Sequence, residues 1–235
     1  MNEVISKDKD SVRSEIAIPQ IAGRISFMAG VTNLALLVAL HFLSPEFDPS
    51  WRMVSEYANG QYGWVLSLMF AFWAVSSWAL AFAIWSQVRT RPGKLGLFFL
   101  IAAGIGEVMA SVFDINHPLH GLAGMIGIGS LPVAAMLISV SLARTQAWFA
   151  AKKALLWTAN LTWISVVLMA ATFAILMITY AQSGVDMSAE TTITTLPAGV
   201  IALVGWANRL LVVVYCVWVM TVAWHAANAP WSRSS

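Results

Sequence analysis

Between residues 114 and 120 the chain reads Asp-Ile-Asn-His-Pro-Leu-His, which places Asp114, His117 and His120 within seven residues. Imidazoles beside a carboxylate are the usual material of a zinc site or an acid–base pair. His41, at the end of the first long apolar stretch, would join them if the chain folds so that these ends meet. Asp-x-x-His-x-x-His is not an established zinc spacing, and polar residues at such places commonly serve helix ends. On that simpler reading Asp114 closes the turn and His120 caps the next helix. Ser55 is a candidate nucleophile if His117 or His120 comes within hydrogen-bond reach; otherwise it is an N-cap at a loop–helix junction. The candidate catalytic set is Ser55, Asp114, His117 and His120, and the candidate metal ligands are His41, Asp114, His117 and His120.

Two further groups stand inside apolar sequence. Glu107 and Arg209 are ionisable residues in stretches otherwise built for lipid, where a charge at a helix centre costs roughly 2.5–3.5 kcal/mol on insertion scales. Glu107 would lie about two turns below one surface and Arg209 about 15 Å below the same surface, at 1.5 Å of rise per residue. Helical side chains lean toward their own N-terminus, so the two could meet as a buried ion pair, for function or for helix register. Asp114 lies two turns beyond Glu107 on the same face if the helix persists. The segment Ser55-Glu56-Tyr57-Ala58-Asn59-Gly60 adds polar and aromatic groups. Glu56 and Tyr57 therefore join Glu107, Arg209, Asp114, His117 and His120 as candidate binding residues.

The elements that position these groups are six apolar stretches, residues 21–43, 62–85, 95–113, 120–143, 155–181 and 199–225. A hydrocarbon core about 30 Å thick is crossed by about 20 helical residues. Of 235 residues 59% are hydrophobic and only 10% charged, against about 25% charged in a soluble domain. The expected fold is all-α, a polytopic bundle of six transmembrane helices over residues 21–225, flanked by polar tails at 1–20 and 226–235. The mixed charges of residues 1–20 do not fit a cleavable signal peptide. No basic cluster points to nucleic acid. Cys216 is the single cysteine, which excludes an intrachain disulfide and a cysteine-based metal cage.

Basic residues set the orientation. Lys7, Lys9, Arg13 and Arg24 precede the first span, Arg89, Arg91 and Lys94 follow the second, Arg144, Lys152 and Lys153 follow the fourth, and Arg233 follows the sixth. The other connections hold only Arg52 among basic residues, with Glu46, Asp48, Glu56, Asp114, Asp186 and Glu190. The positive-inside rule then puts both termini in the cytoplasm, in the cell's plasma or cytoplasmic membrane. Tryptophans Trp64, Trp85, Trp148, Trp157, Trp224 and Trp231 fall near the boundaries, where amphipathic rings prefer to sit. The long outer loop 44–61 is polar and aromatic, and the outer loop 182–198 is rich in threonine.

The fourth span holds Gly121, Gly124, Gly127, Gly129 and Pro132. Small residues let helices approach closely, and a proline gives a site for a kink. Trp73, Trp78, Trp163 and Trp218 read as packing or lipid-facing groups. A transmembrane haem needs two facing histidines. His225 lies at the opposite membrane face from His41, His117 and His120, so no haem is expected.

Several of these elements, taken in order, resemble the DUF998 family of six-span membrane proteins. They are His41 with Ser44-Pro45, Ser55-Glu56-Tyr57 with Gly60 and Gly63-Trp64, Phe113-Asp114 with His117 and His120, and Gly205-Trp206-Ala207-Asn208-Arg209 with Trp218. The resemblance covers nearly all of the chain after residue 20 and implies a fold and a membrane address without a reaction. A more distant similarity is to the alkaline ceramidase and progestin-receptor-like membrane hydrolases, seven-span proteins that use a Ser, an Asp and histidines around zinc. This chain lacks their His-x-x-x-His pair in the last span and carries Arg209 there.

Three functional readings follow. The first is an outward-facing polar site that binds a lipid headgroup, a small molecule or a partner, the reading preferred here. The second is a metal-dependent intramembrane lipid hydrolase or transferase, with zinc as its metal. The third is a small proton-coupled carrier with Glu107 and Arg209 on its pathway. Membrane lipids are the expected surroundings, and self-association into a homo-oligomer is compatible with each.

Overall fold

A computed structural model describes residues 2–184 and 195–228, with side chains from Ile18 onward. The basic residues Lys7, Lys9, Arg13 and Arg233, Trp231, and the middle of the Thr-rich loop with Asp186 and Glu190 lie outside the described side chains. The described chain is all-α. Six helices carry it: α1 (Asn2–Leu43), α2 (Gly63–Ile84), α3 (Arg91–Val112), α4 (His120–Leu142), α5 (Lys152–Gln182) and α6 (Val204–Asn228). All six are long and apolar enough to cross a membrane, α1 over Ile18–Leu43. Helices suit that solvent because each satisfies its own backbone donors and acceptors.

Local sequence sets the ends. Thr90 caps α3 by accepting the N–H of Gly93 at 3.1 Å, with Pro92 in the first turn, where its missing N–H costs nothing. Gly63 opens α2 where the carbonyl of Ala58 leaves no room for a Cβ. The largest departure from the sequence expectation is at α6. It starts at Val204 rather than near residue 199, because Gly199 adopts a left-handed φ of 87° and residues 200–203 stay non-helical. The N–H of Gly205 instead donates to the carbonyl of Ser50 at 3.0 Å.

Each helix packs on the next, and α6 closes back on α1 and also touches α2. Small and polar residues make the close contacts, as expected where no hydrophobic effect drives helices together. Ser26 of α1 and Ser76 of α2 each donate a hydroxyl to the other's backbone carbonyl, at 2.8 and 2.7 Å. Gly106 of α3 meets Gly127 of α4 so tightly that a Cβ at Gly106 would run into the Gly127 backbone. The tryptophans divide by depth and face. Trp64, Trp78, Trp85, Trp157, Trp163 and Trp224 are exposed, as rings facing lipid or its interface would be. Trp148 departs from the expected belt: it is buried and donates to Gln87 Oε1 at 2.7 Å, tying the α2–α3 and α4–α5 connections together. Trp218 is fully buried and donates to Ser139 Oγ at 3.0 Å.

Candidate functional site

The expected Glu107–Arg209 ion pair does not form; the two residues have separate partners. Because α6 begins at Val204, Arg209 sits only five residues into it, about 8 Å from its N-terminal end at 1.5 Å per residue. That is within reach of the loop between α1 and α2. Its Nε donates to His41 Nε2 at 2.8 Å, and Nη2 donates to the Tyr57 hydroxyl at 2.9 Å. Nη1 donates to the carbonyls of Arg52 at 2.7 Å and Gly205 at 3.0 Å, with a longer contact to Pro49 at 3.5 Å. The guanidinium is buried, and every one of these acceptors is neutral. A planar fork of five donors suits such a cage, where a point-charge ammonium would not. His41 Nδ1 contacts the Leu37 carbonyl at 2.8 Å. The ring therefore carries a proton on Nδ1 and offers Nε2 as the acceptor.

This cage fixes the outer loop on α6. Asn208, next to Arg209, accepts the N–H of Val54 at 2.8 Å. Gly205 lies against the backbone of Trp51 and Arg52, where a Cβ would collide. The segment Gly205-Trp206-Ala207-Asn208-Arg209 is thus a clasp for residues 49–57. Inside the loop, Glu56 accepts from Arg52 Nη1 at 2.6 Å and from the Met53 N–H at 2.7 Å. Tyr57 is fully buried. The Asp48 carboxyl is held below its ordinary value, first by the Ser50 N–H, then by the Ser50 side chain, with the Arg209 charge a smaller cause. Glu56 and Tyr57, expected in a binding site, are engaged by Arg52, the Met53 N–H and Arg209.

The histidine string is likewise occupied with turns. Helix α3 ends at Val112, with Phe113 extended, so Asp114 does not continue the face of Glu107. Asp114 Oδ1 accepts the N–H of Asn116 at 2.9 Å and closes the turn, as the capping reading expects. His117 is exposed, stacks on Phe113 at 4.4 Å between centroids, and accepts the N–H of Leu119. His120 does not cap its own helix: its Nδ1 contacts the carbonyl of Phe113 at 2.9 Å, at the end of α3. Ser55 lies within a 3₁₀ turn, Val54–Asn59, whose N-cap is Met53. No hydrogen bond joins Ser55 to either histidine among the described residues. Nor do three His, Cys, Asp or Glu side chains there gather in a set that could hold a metal ion. His41 is directed to Arg209, which separates it from the other proposed ligands.

What the structure does bring together is a cavity of about 290 Å³, bounded by α2 to α6 and by Met53, Val54 and Ser55 of the loop between α1 and α2. Its walls include Phe70 and Trp73 of α2, Glu107 of α3, Met169 of α5, and Asn208, Leu211, Val212 and Tyr215 of α6. Gly121, Gly124 and Gly127 form the α4 wall; Cβ atoms at the first two would meet nothing within 4 Å. The glycines expected to draw helices together do so at Gly127, and elsewhere they leave space. Ser55 and His120 line the rim with Met53, Val54 and Ile115. Two lining residues are joined across the cavity wall, where the Tyr215 hydroxyl donates to the carbonyl of Ile128 at 2.7 Å.

Glu107 is buried in this wall, about 8 Å from the C-terminal end of α3. Its Oε1 accepts from the Ser77 hydroxyl at 3.2 Å. Its Oε2 has no hydrogen-bond partner, and neither does Trp73 Nε1 beside the same cavity. Buried polar atoms are paired in nearly all native structures, so each exception calls for a reason. Sequence reasoning singled out Glu107 but missed Trp73, Tyr215, Asn208 and the open glycine face. The spacing of Asn208, Leu211, Val212 and Tyr215 along one face of α6 was the signal that could have found Asn208 and Tyr215; no comparable signal marks Trp73 or the glycine face.

The family described as Protein of unknown function (DUF998) matches the chain over residues 27–225. No curated protein and no solved structure matches it. The match spans all six helices and takes in the outer loop, the cavity and the α6 clasp, and the chain belongs to the DUF998 family.

Proposed function

We propose that this protein is a multi-pass membrane binding protein whose cavity takes a small, largely apolar ligand carrying one hydrogen-bonding group. The single observation behind this reading is Glu107: a buried carboxylate oxygen without a partner, set in the wall of an apolar cavity. Ligand sites combine an apolar lining with a few polar groups that fix orientation, and an ionisable residue inside a membrane is a functional candidate by default. The Arg209 cage is the structural counterpart. It holds Met53, Val54 and Ser55 over the cavity mouth. Basic connections at one face orient the bundle with both termini in the cytoplasm and the cavity mouth outside, which suits a cell membrane.

Native mass spectrometry of the protein released from nanodiscs tests the reading. A discrete retained ligand is expected in the wild type and should be lost in Gly124→Leu, whose side chain would enter the open space beside α4. Identical spectra for the two proteins, with no adduct in either, would sink it.

A further inference from the structure

The cavity's charge and aromatic content narrow the ligand further, an argument that rests on the binding role just proposed. Among the described lining residues Glu107 is the one carboxylate, and no Lys or Arg stands with it. Glu107 has a single neutral partner, the Ser77 hydroxyl, and its second oxygen is unused. Phe70, Trp73 and Tyr215 line the same space. Trp73 packs on Phe70 in parallel at 6.3 Å and on Tyr215 edge-on at 6.2 Å. A buried acid without a cation, among aromatic rings, is complementary to a cation that can donate a hydrogen bond. The acid supplies a charge-assisted acceptor, and the rings add cation–π attraction in a desolvated setting. A phosphate or carboxylate on the ligand would meet the Glu107 side with no Lys or Arg in the lining to balance it. The open α4 face, Gly121 and Gly124, leaves room for an apolar body.

We infer that the cavity binds a lipophilic amine: a protonated primary or secondary amine on an apolar body, without an anionic group. The ammonium sits against Glu107 Oε2 and the body lies along the α4 glycines. The source is either a soluble amine entering past Ser55 and His120 or a single-chain amine drawn from the bilayer.

Binding of octylamine, octanol and octanoate to the nanodisc-held protein at neutral pH separates the charge of the head group at constant chain length. Octylamine should bind saturably to the wild type. Glu107→Gln should weaken it on the order of thirtyfold, the usual effect of removing one partner of a buried charge pair. Octanol should bind more weakly than octylamine and lose far less than octylamine does on Glu107→Gln, and an unchanged unfolding transition shows that the variant is folded. Gly124→Leu should exclude all three. Octadecylamine distinguishes the sources: binding of both amines supports a membrane-borne ligand whose chain leaves the cavity, and binding of octylamine alone supports a soluble one. Octanol or octanoate binding as tightly as octylamine, without dependence on Glu107, overturns the amine inference and leaves the binding role standing. Absence of binding by every probe overturns the amine inference as well. The binding role falls with it only if the purified wild type also carries no native ligand.

Discussion

The hydroxyl of Tyr215 donates to the carbonyl of Ile128 at 2.7 Å, and that carbonyl is the one Pro132 leaves without a helical donor. Within α4 the carbonyl of residue 128 would accept from the N–H of residue 132, which proline lacks. In a bilayer no water replaces the missing donor, so a side chain from a neighbouring helix must. Pro132 therefore creates the acceptor, Tyr215 fills it, and the bond joins α4 to α6 in the wall of the cavity.

Tyr215→Phe should destabilise the protein by about 1–3 kcal/mol, the cost of an orphaned buried acceptor. Pro132→Ala restores a backbone donor to Ile128. In that background the Tyr215→Phe cost should shrink toward zero. A double-mutant cycle by thermal or denaturant unfolding in detergent measures the coupling, and additive costs would show that the two residues act independently.

Arg209→Lys should lower stability on the order of 3 kcal/mol, because an ammonium cannot serve His41, Tyr57 and the loop carbonyls together. The outer loop should then become sensitive to proteolysis while the helices persist. Limited digestion followed by mass mapping reads the outcome; cleavage confined to other loops would contradict the clasp.

Gly106→Ala and Gly124→Ala differ by one methyl group each and should differ in sign. The first forces a Cβ into the backbone of Gly127 and Ala123 and should cost about 2 kcal/mol through overpacking. The second enters open space and should leave stability equal or raise it by up to about 1 kcal/mol through helix propensity. Unfolding temperatures of the two variants, measured side by side, decide it.

Glu107→Gln should leave the unfolding temperature of the ligand-free protein unchanged or higher. The amide oxygen still accepts from Ser77, and a buried ionisable group is removed. A drop of several degrees would mean that Glu107 holds the fold through its charge.

Orientation is checked with cysteine labelling. Cys216 is buried and should resist maleimide in the folded protein. In a Cys216→Ala background, Gln61→Cys in the outer loop and Gln146→Cys in an inner turn replace exposed residues. The first should label on intact cells and the second only after permeabilisation. The reverse pattern would invert the topology.

The six helices were legible because a membrane leaves so few alternatives: an apolar run of this length has one way to satisfy its backbone. Asp114 as a turn-closing residue was legible too, since an Asx turn is a local matter. The partner of Arg209 was not. Rise per residue gives the depth of a side chain only from a known helix start, and α6 starts five residues later than the hydropathy suggests. Beside His41 and Tyr57, its acceptors include backbone carbonyls of a loop about 160 residues away in sequence, and every residue carries such an acceptor, so no spacing could mark them. The cavity was hidden for a related reason. Gly121 and Gly124 read as close-packing residues by type, and only the position of the neighbouring helices shows that their faces are open.

The Arg209 cage also has a consequence for how the chain is made. Its cation arrives with α6, the sixth of the described helices to leave the ribosome, while His41, Tyr57 and the carbonyl of Arg52 belong to segments synthesised 152 to 168 residues earlier. Until α6 emerges, the loop between α1 and α2 lacks the donors that hold it. Until that loop is in place, the guanidinium of a newly inserted α6 has no acceptors other than the Gly205 carbonyl of its own helix. The early loop and the late helix complete each other. A ribosome stalled before residue 209, or a protein truncated there, would present a nascent bundle with an unlocked outer loop, a state that membrane proteases can recognise and remove.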